Sequence, residues 1–297
     1  MKQTIIDSIE TKFKIEDYEN FLNKKISRKD LANLIGITEY SLIEYLKYKK
    51  LSTSPQVYLL SSIKHDIFDV IDTEEKAYLL GFYIADGCIT GNRLCFTLSN
   101  DDIKHLKKIR DLISPNSKLN FQPSRISKRN IKSNALCKLA ISSSKIVNRL
   151  NELGLGYKKT YLKKSIINTV PNNLMWHFIR GYFDGDGCIS ASLVKHIYKN
   201  KIYHNYNVNW TIISHDNCIL KEIQQFIENN LNLKILLYPD NKGNYLVGTH
   251  SIKNLKPIFE ALYNNSTIKL ERKYEKFKNI IANTEVSSEI TKGSETP

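Results

Sequence analysis

YLLGFYIADGCI (Tyr78–Ile89) and FIRGYFDGDGCI (Phe178–Ile189) are two copies of one stretch, and this repetition decides the fold. The second copy begins one hundred residues after the first, and both close on the same Asp-Gly-Cys-Ile sequence. A repeat at a fixed period indicates that one structural unit is used more than once. The chain is therefore expected to contain two related halves, each built around its own copy.

Each copy predicts an apolar helix whose last turn carries an acid, Asp86 in the first and Asp186 in the second. Small residues lie four apart in both copies, so they share one face of each helix. The helices are apolar almost all round, which suits burial between two halves of a protein. A face of small residues would let two helix backbones come close. These small residues are Gly81, Ala85, Gly181 and Gly185.

Local signals predict where the two helices begin and end. A capping box from Asp72 to Glu75 is expected to open the first helix. Asn172 or Asn173, after Pro171, is expected to open the second. A glycine follows each acid and is expected to end its helix in the left-handed conformation, which glycine adopts at little cost. These glycines are Gly87 and Gly187.

Two bare carboxylates are unfavourable at neighbouring helix ends. The C-terminal end of a helix carries partial negative charge, and like charges repel each other. A divalent cation would offset both effects, and carboxylate oxygens suit Mg²⁺. A simple helix-ending Asp-Gly turn would explain one copy equally well. Two copies with the same spacing favour a shared metal site at Asp86 and Asp186.

The two stretches LLGFYIADG (Leu79–Gly87) and IRGYFDGDG (Ile179–Gly187) resemble the paired signature motifs of a single-chain LAGLIDADG homing endonuclease. The resemblance implies that Asp86 and Asp186 are catalytic and bind Mg²⁺ or another divalent cation such as Mn²⁺. One departure is Ile84, because the sixth motif position is usually acidic. The residues before the acids are included among the predicted metal ligands. These are Ala85 and Gly185.

The resemblance covers residues 71–282 and implies an α/β (α+β) fold. Two pseudo-symmetric αββαββα repeats, residues 71–168 and 169–282, would form a DNA-binding saddle, and the order of apolar runs along the chain agrees with this pattern. The implied function is that of an intron-encoded or free-standing homing endonuclease. Such an enzyme acts as a monomer and makes metal-dependent double-strand breaks at a long DNA site.

The charge of the chain indicates an anionic partner. The formal net charge is +14, and residues 71–170 hold 18 basic and 8 acidic residues. There is no acid between Asp111 and Glu152, nor between Asp186 and Asp216. An ordinary solvated face usually mixes both signs, so a DNA-binding surface is favoured. The predicted contacts are Lys118, Arg125, Lys128, Arg129, Lys132, Lys138, Lys195, Lys199, Lys201 and Tyr203.

Two lysines at matching places in the repeats are predicted to be catalytic. Lys159 and Lys269 both follow the last predicted helix of a repeat. By the same resemblance, a basic residue lies near the scissile phosphate, where it would polarise the attacking water or stabilise charge in the transition state. A lysine that only contacts a solvated phosphate is the competing interpretation.

The first 70 residues predict a separate helical domain. Ser27–Lys50 resembles a helix-turn-helix, with Gly36 at the turn and Thr38 as the cap of the second helix. Arg28 and Lys47 are predicted to contact DNA. A plain helical hairpin that only packs on the next domain is the alternative.

The cysteines, the lack of an expected targeting segment and the tail limit the class of protein. The five cysteines lack any C-x-x-C pair and are expected to be reduced and mostly buried, as in an intracellular protein. No signal peptide or membrane-spanning run is expected, and residues 283–297 are expected to be a disordered tail. An intron maturase that binds intron RNA, or a non-catalytic transcription regulator, could use the same scaffold. The presence of both acids argues against the regulator.

Overall fold

The computed structural model describes residues 3–126, 132–156, 165–198 and 201–293. The chain forms two compact units. The first comprises residues 1–64 together with 113–117, and the second comprises residues 65–112 and 118–297. The first unit therefore ends six residues before the expected boundary at residue 70. It takes in residues 113–117 because Lys64 N donates to Ile113 O at 2.8 Å.

The first unit is helical. Its helices are α1 (Gln3–Glu10), α2 (Ile15–Leu22), α3 (Arg28–Ile35), α4 (Glu39–Tyr48) and α5 (Pro55–Ser61). Ser27 and Asp30 form a capping box at the start of α3, and Thr38 accepts from Ser41 N at the start of α4. Gly36 ends α3 with φ +78°, a left-handed conformation that costs glycine least. These signals lie where the sequence places them.

The second unit contains the two predicted repeats, and the predicted fold is confirmed. The first repeat comprises α6 (Glu74–Asp86), β1 (Gly87–Thr90), β2 (Arg93–Ser99), α7 (Ile103–Ile113), β3 (Leu119–Gln122), β4 (Arg125–Ile126), β5 (Lys132–Ser133), β6 (Leu136–Ser142) and α8 (Ser144–Glu152). The second comprises α9 (Met175–Asp186), β7 (Gly187–Tyr198), β8 (Lys201–Ser214), α10 (Asn217–Leu231), β9 (Leu236–Pro239), β10 (Tyr245–Thr249), α11 (Ile252–Tyr263) and α12 (Glu271–Gly293).

Each repeat builds a four-stranded antiparallel sheet with the same topology. The order is β1-β2-β6-β3 in the first and β7-β8-β10-β9 in the second, and β4 and β5 form a separate ribbon. Side chains alternate between the two faces of a strand. One face of each sheet is apolar and buried, through Leu94, Phe96 and Leu139 in the first repeat and Val208 and Trp210 in the second. The other face is polar and is called the open face below.

The helix ends differ from the sequence-based expectation. Thr73, not Asp72, caps α6, and Asp72 instead pairs with Lys76 at 2.7 Å. Helix α9 begins at Met175 after a 3-10 turn, and neither predicted asparagine caps it. Gly87 has φ −79° and ψ 159°, so it is extended rather than left-handed, and Gly187 is extended as well. The reason is that the chain passes directly from each helix into a strand.

Two further features differ from the expectation. Helix α12 continues to Gly293, beyond the predicted end of the second repeat at residue 282. No glycine or proline interrupts the chain between residues 271 and 292, which allows the helix to continue. The cysteines are free, but Cys88, Cys188 and Cys218 are exposed, so most are not buried. None of the helices in the described part of the chain is long and apolar enough to cross a membrane.

Candidate active site

The two motif helices, α6 and α9, cross at matching glycines. A Cβ at Gly81 would collide with the backbone oxygen of Phe178 and lie 2.9 Å from Tyr182 N. A Cβ at Gly181 would collide with the backbone oxygen of Tyr78 in the same way. Each glycine thus packs directly on the backbone of the other helix. The close approach predicted from the small residues is present at both positions.

This crossing brings the two motif acids to neighbouring helix ends. Asp86 is the last residue of α6, and Asp186 is the last residue of α9. A Cβ at Gly185 would collide with the Ala85 Cβ and lie 3.4 Å from Asp86 Oδ2. The Asp86 carboxylate therefore lies against the last turn of the opposite helix. The predicted ligands Ala85 and Gly185 meet at the same place.

The residues at these helix ends fit a magnesium-type ion. No group of three or more His, Cys, Asp or Glu side chains in the described part of the chain could hold a metal. The two motif acids offer two carboxylates, and Mg²⁺ usually takes only one or two, with water and phosphate oxygens as its other ligands. Such a donor set suits a site that is completed by a phosphodiester.

Lys273 of α12 reaches the same place and was not predicted. Its Nζ donates to Phe183 O and to Gly185 O, each at 2.8 Å, and the residue is 8% exposed. Burial lowers the pKa of Lys273 to about 8, while the charges of Asp184, Asp86 and Asp186 act to raise it. A buried ammonium therefore lies close to both motif acids. It also occupies one acceptor position of the Gly185 carbonyl, a predicted metal ligand.

Asp184, the acid at the sixth motif position of the second copy, is buried and fully hydrogen-bonded. Its Oδ2 accepts from Tyr78 OH at 2.8 Å and from Leu270 N at 2.7 Å, and its Oδ1 accepts from Tyr263 OH at 3.0 Å. Burial raises the pKa of Asp184 to about 6, and these hydrogen bonds oppose the rise. Because Leu270 precedes α12, Asp184 fixes the start of the helix that carries Lys273.

A buried ion pair fixes the segment just before α12. Arg180 is fully buried and donates to Ile268 O at 2.9 Å and to Glu74 Oε1 at 2.7 Å. Glu74 Oε1 also accepts from Thr267 N at 2.7 Å. Glu74 begins α6 and Arg180 lies in α9, so both motif helices hold residues 267–268. A buried charge pair of this kind needs the additional hydrogen bonds that these partners provide.

Neither of the two predicted catalytic lysines is described at the acid pair. Lys269 Nζ lies 4.0 Å from the centroid of the Tyr274 ring, and the residue lines a cleft with Asp101 and Asp102. The described contacts therefore favour Lys273 over Lys269 as the lysine of the acid pair. Lys159 lies outside the described residues. The sequence nevertheless holds a signal for Lys273. Lys163 and Lys273 are separated by the same interval as Lys159 and Lys269, so they too occupy matching places in the two repeats.

The open face of the first repeat carries part of the predicted DNA surface. Lys138 lies directly opposite Thr97 on one side and Asn120 on the other, so the three share a face. A groove of about 690 Å³ runs over this face, lined by Arg93, Asn120, Gln122 and Lys138 among others. Lys118 precedes β3 and, by alternation, belongs to the same face. Arg93, Asn120 and Gln122 were not among the predicted contacts, and strand alternation is the sequence signal that places them on this face.

The open face of the second repeat carries serine and asparagine side chains. The register pairs Ser190 with Asn209 and Ser192 with Asn207 on this face. Lys195 pairs with His204 in the same hairpin, and alternation places it on the opposite face from these residues. Its predicted DNA contact is therefore not on the open face. Of the other predicted contacts, Lys128, Arg129 and Lys199 lie outside the described residues, as do the side chains of Arg125, Lys132, Lys201 and Tyr203.

Comparison with known proteins supports the family predicted from the motifs. Residues 179–281 match the family model described as LAGLIDADG endonuclease. This match covers about a third of the chain, from α9 into α12. A comparison with curated proteins finds no match to the sequence. The match agrees with the family that the motifs predict and covers most of the second repeat.

A comparison with solved structures also finds matches. The meganuclease I-SmaMI bound to uncleaveable DNA has 13% identity and a TM-score of 0.49, over 72% of this chain and 91% of that chain. The LAGLIDADG homing endonuclease I-GzeII in complex with its DNA target has 14% identity and a TM-score of 0.47, over 74% and 92%. I-DmoI in complex with DNA and Mn has 20% identity and a TM-score of 0.39, over 64% and 97%.

Proposed function

We propose that this chain, whose second repeat matches the LAGLIDADG endonuclease family model, is a divalent-metal-dependent endonuclease that cuts both strands of duplex DNA at a long site. The main support for this proposal is the position of the two motif acids. They lie at the ends of two helices that pack against each other through Gly81 and Gly181. The basic charge of the repeats and the polar open faces supply the surface that duplex DNA requires. No separate observation favours the regulator or the maturase.

The residues divide into metal-binding and charge-stabilising groups. Asp86 and Asp186 would hold Mg²⁺ or Mn²⁺. A divalent cation at that place supplies an activated water and stabilises the leaving oxygen of the phosphodiester. Lys273 would add a fixed positive charge beside the reacting phosphate, where charge develops in the transition state. Asp184, through Leu270 N, holds α12 so that Lys273 stays at the end of α9.

The open faces would read and position the duplex. Arg93, Asn120, Gln122 and Lys138 in the first repeat combine charge with amide groups, which suits phosphate and base-edge contacts. The serine and asparagine rows of the second repeat offer further hydrogen bonds. The two open faces carry different side chains, so the target need not be palindromic.

The first unit would contribute a further DNA contact through Arg28 and Lys47. The support for this contact is the observed pair of helices, α3 and α4, joined at the left-handed Gly36. The helix lengths and the turn suit a helix-turn-helix. The alternative, a hairpin with only a packing role, predicts no change in DNA binding when these side chains are neutralised.

Selection from a random duplex library tests the proposal. The full chain is incubated with the library and Mg²⁺ or Mn²⁺, and the new DNA ends are sequenced. Wild type should give one defined pair of cuts, whereas Asp86→Asn and Asp186→Asn should lose cleavage by more than ~100-fold, in line with losses at electrostatic catalytic groups. Asp111→Asn, which neutralises an exposed acid, is the matched control and should cut normally.

The outcomes separate the alternatives. Specific duplex binding without cuts under either metal would favour the transcription regulator. Preferential binding of structured RNA would favour the maturase. Normal cleavage by both asparagine variants would remove the acid pair from the mechanism.

A further inference from the structure

The first hairpin of the first repeat carries two cysteines directly opposite each other. The register of β1 and β2 pairs Cys88 with Cys95. Residues directly opposite in antiparallel strands project to the same face, with Cβ atoms about 4.5–5.5 Å apart. Both cysteines are free. The hairpin therefore presents two thiols side by side.

Both thiols lie on the open face. Cys95 lines the groove of that face together with Thr90 and Lys138, while its strand neighbours Leu94 and Phe96 are in the core. Cys88 Sγ lies 4.0 Å from Thr90 Oγ1, and the Cys95 thiol interacts with the same hydroxyl. Cys88 is exposed and Cys95 is buried. One thiol is thus accessible to a reagent, and the second lies behind it.

The geometry is close to that of a disulfide. Cα atoms of directly opposite residues lie about 4.5–5.5 Å apart in antiparallel pairs. This range falls within the separation of about 4.4–6.8 Å that disulfides show, whereas their Cβ atoms are about 3.5–4.5 Å apart. Closing the pair thus requires a shift of roughly 1 Å at the Cβ atoms. Strained or exposed disulfides are the readily reduced, reversible ones.

We propose that Cys88 and Cys95 form a redox-active dithiol, which low-molecular-weight disulfides of the glutathione type oxidise to a reversible cross-strand disulfide. In the first exchange the Cys88 sulfur attacks one sulfur of the reagent, and one thiol is released. In the second exchange the Cys95 sulfur attacks the mixed disulfide at Cys88, and the second thiol is released. The two cysteines are oxidised, one reagent disulfide is reduced to two thiols, and the two cysteine protons pass to those thiols.

The second repeat supplies an internal control. Cys188 occupies the position of Cys88, but its directly opposite residue is Thr211. Thr211 is 4% exposed, comparable with Cys95 at 1%. Cys188 can therefore form a mixed disulfide with the reagent but has no second thiol opposite it. The dithiol belongs to one repeat alone.

The consequence for DNA rests on the proposed function. The two thiols lie on the face proposed to meet the duplex, and Cys88 follows Asp86 by two residues. Bound DNA should therefore shield Cys88 from the reagent. Cys218, exposed at the start of α10, provides a reference thiol elsewhere on the same chain.

Peptide mapping after oxidation tests the dithiol. The full chain is equilibrated with oxidised and reduced glutathione, remaining thiols are alkylated, and the digest is analysed by mass spectrometry. Wild type should yield a Cys88–Cys95 cross-linked peptide that excess reduced glutathione removes. Cys95→Thr, which copies the second repeat, should leave Cys88 as a glutathione adduct. Thr211→Cys should yield a second cross-link, from Cys188 to position 211.

Two results would overturn the proposal: an adduct without cross-link at Cys88 in wild type, or a Cys88 cross-link that persists in Cys95→Thr. A random duplex at low salt forms the second arm and should slow oxidation of Cys88 about tenfold relative to Cys218, because exchange rates depend on access. If the cross-link forms equally fast with DNA, the dithiol stands and the proposed DNA face is wrong.

Discussion

The ammonium of Lys273 donates a hydrogen bond of 2.8 Å to the carbonyl oxygen of Gly185, the residue before Asp186. This contact joins α12 to the C-terminal end of α9, where the helix dipole is negative. Asp86 and Asp186 also act on the charge of Lys273. The site is therefore an arrangement of two acids and one buried cation. The cation offsets the repulsion that the acids alone would have.

Replacing Lys273 should impair catalysis rather than binding. Lys273→Met keeps most of the apolar body of the side chain but removes the charge. We expect cleavage to slow by about 10²–10³-fold, the usual cost of losing one electrostatic stabiliser. The Kd for DNA should change little, because the ammonium is buried against backbone carbonyls. Single-turnover cleavage and a binding titration in Ca²⁺ measure the two effects separately.

Lys269→Met is the matched control for this prediction. Its ammonium lies over the Tyr274 ring, so its loss should slow cleavage far less. The reverse order of effects would return the catalytic role to Lys269. Circular dichroism of both variants distinguishes a catalytic loss from unfolding of α12.

The Asp184 network should make Tyr263 important for stability. Tyr263→Phe removes the donor to Asp184 Oδ1 and leaves that buried oxygen without its 3.0 Å partner. Leaving a buried acceptor unsatisfied costs about 1–3 kcal/mol of unfolding free energy. Tyr274→Phe is the control, because its ring packs in the same cluster and the structure describes no hydrogen bond of its hydroxyl. Urea unfolding should show a clear loss for Tyr263→Phe only; equal losses would mean that the hydrogen bond from Tyr263 to Asp184 adds no stability beyond that of an unbonded hydroxyl.

The sequence predicts the fold well because repetition, alternation and helix period are local patterns. The two copies of the motif, the four strands of each sheet and the Gly36 turn all follow from such patterns. The cap at Thr73 was missed because Asp72 offers an equally good local signal. Gly87 was misread for a related reason. A glycine after a helix usually ends it in the left-handed conformation, but here the next residues enter a strand at once.

The site was harder to predict because its parts come from distant segments. The acids are recognisable in the motif copies, whereas Lys273 reaches them only because Asp184 binds Leu270 N and Arg180 binds Ile268 O. Neither contact has a local sequence signal. The first copy has Leu80 and Ile84 at the positions of Arg180 and Asp184, so the two halves differ in this polar support. Only the structure shows that the difference fixes α12.

Stability should depend on pH through His105. Burial lowers the pKa of His105 to about 4, with Lys108 acting in the same direction and Asp102 and Glu271 opposing it. The unfolded histidine titrates near 6.5, so below that pH the unfolded state binds a proton that the folded state does not. The contribution of neutral His105 to the free energy of unfolding is therefore fully present above about pH 6.5, and it is lost as the pH falls towards 4.

His105→Gln isolates this effect. Gln can still donate towards Tyr78 OH, the partner of His105 Nε2 at 3.0 Å. The difference in unfolding free energy between wild type and variant should change by about 3 kcal/mol between pH 7 and pH 4, at the expense of wild type. Asp184, with its pKa raised to about 6, acts with the opposite sign but is present in both proteins. A difference that stays constant with pH would show that His105 titrates normally in the folded protein.

Neutralising Lys47 should test whether the first unit contacts DNA. Its side chain is 63% exposed and its only described ion pair is with Glu44 at 3.0 Å, which contributes little at a surface. If Lys47 binds a phosphate, Lys47→Gln should reduce the slope of log K against log salt by about 0.9. Lys14→Gln makes the same change of charge at an exposed position outside α3 and α4 and should leave the slope unchanged.

Substitution is preferable to deletion, since the unit includes residues 113–117 as well as 1–64. Fluorescence anisotropy on one duplex across a salt series gives all three slopes. Equal slopes for wild type and both variants would assign this helix pair a packing role, and equal losses in the two variants would indicate a diffuse charge effect.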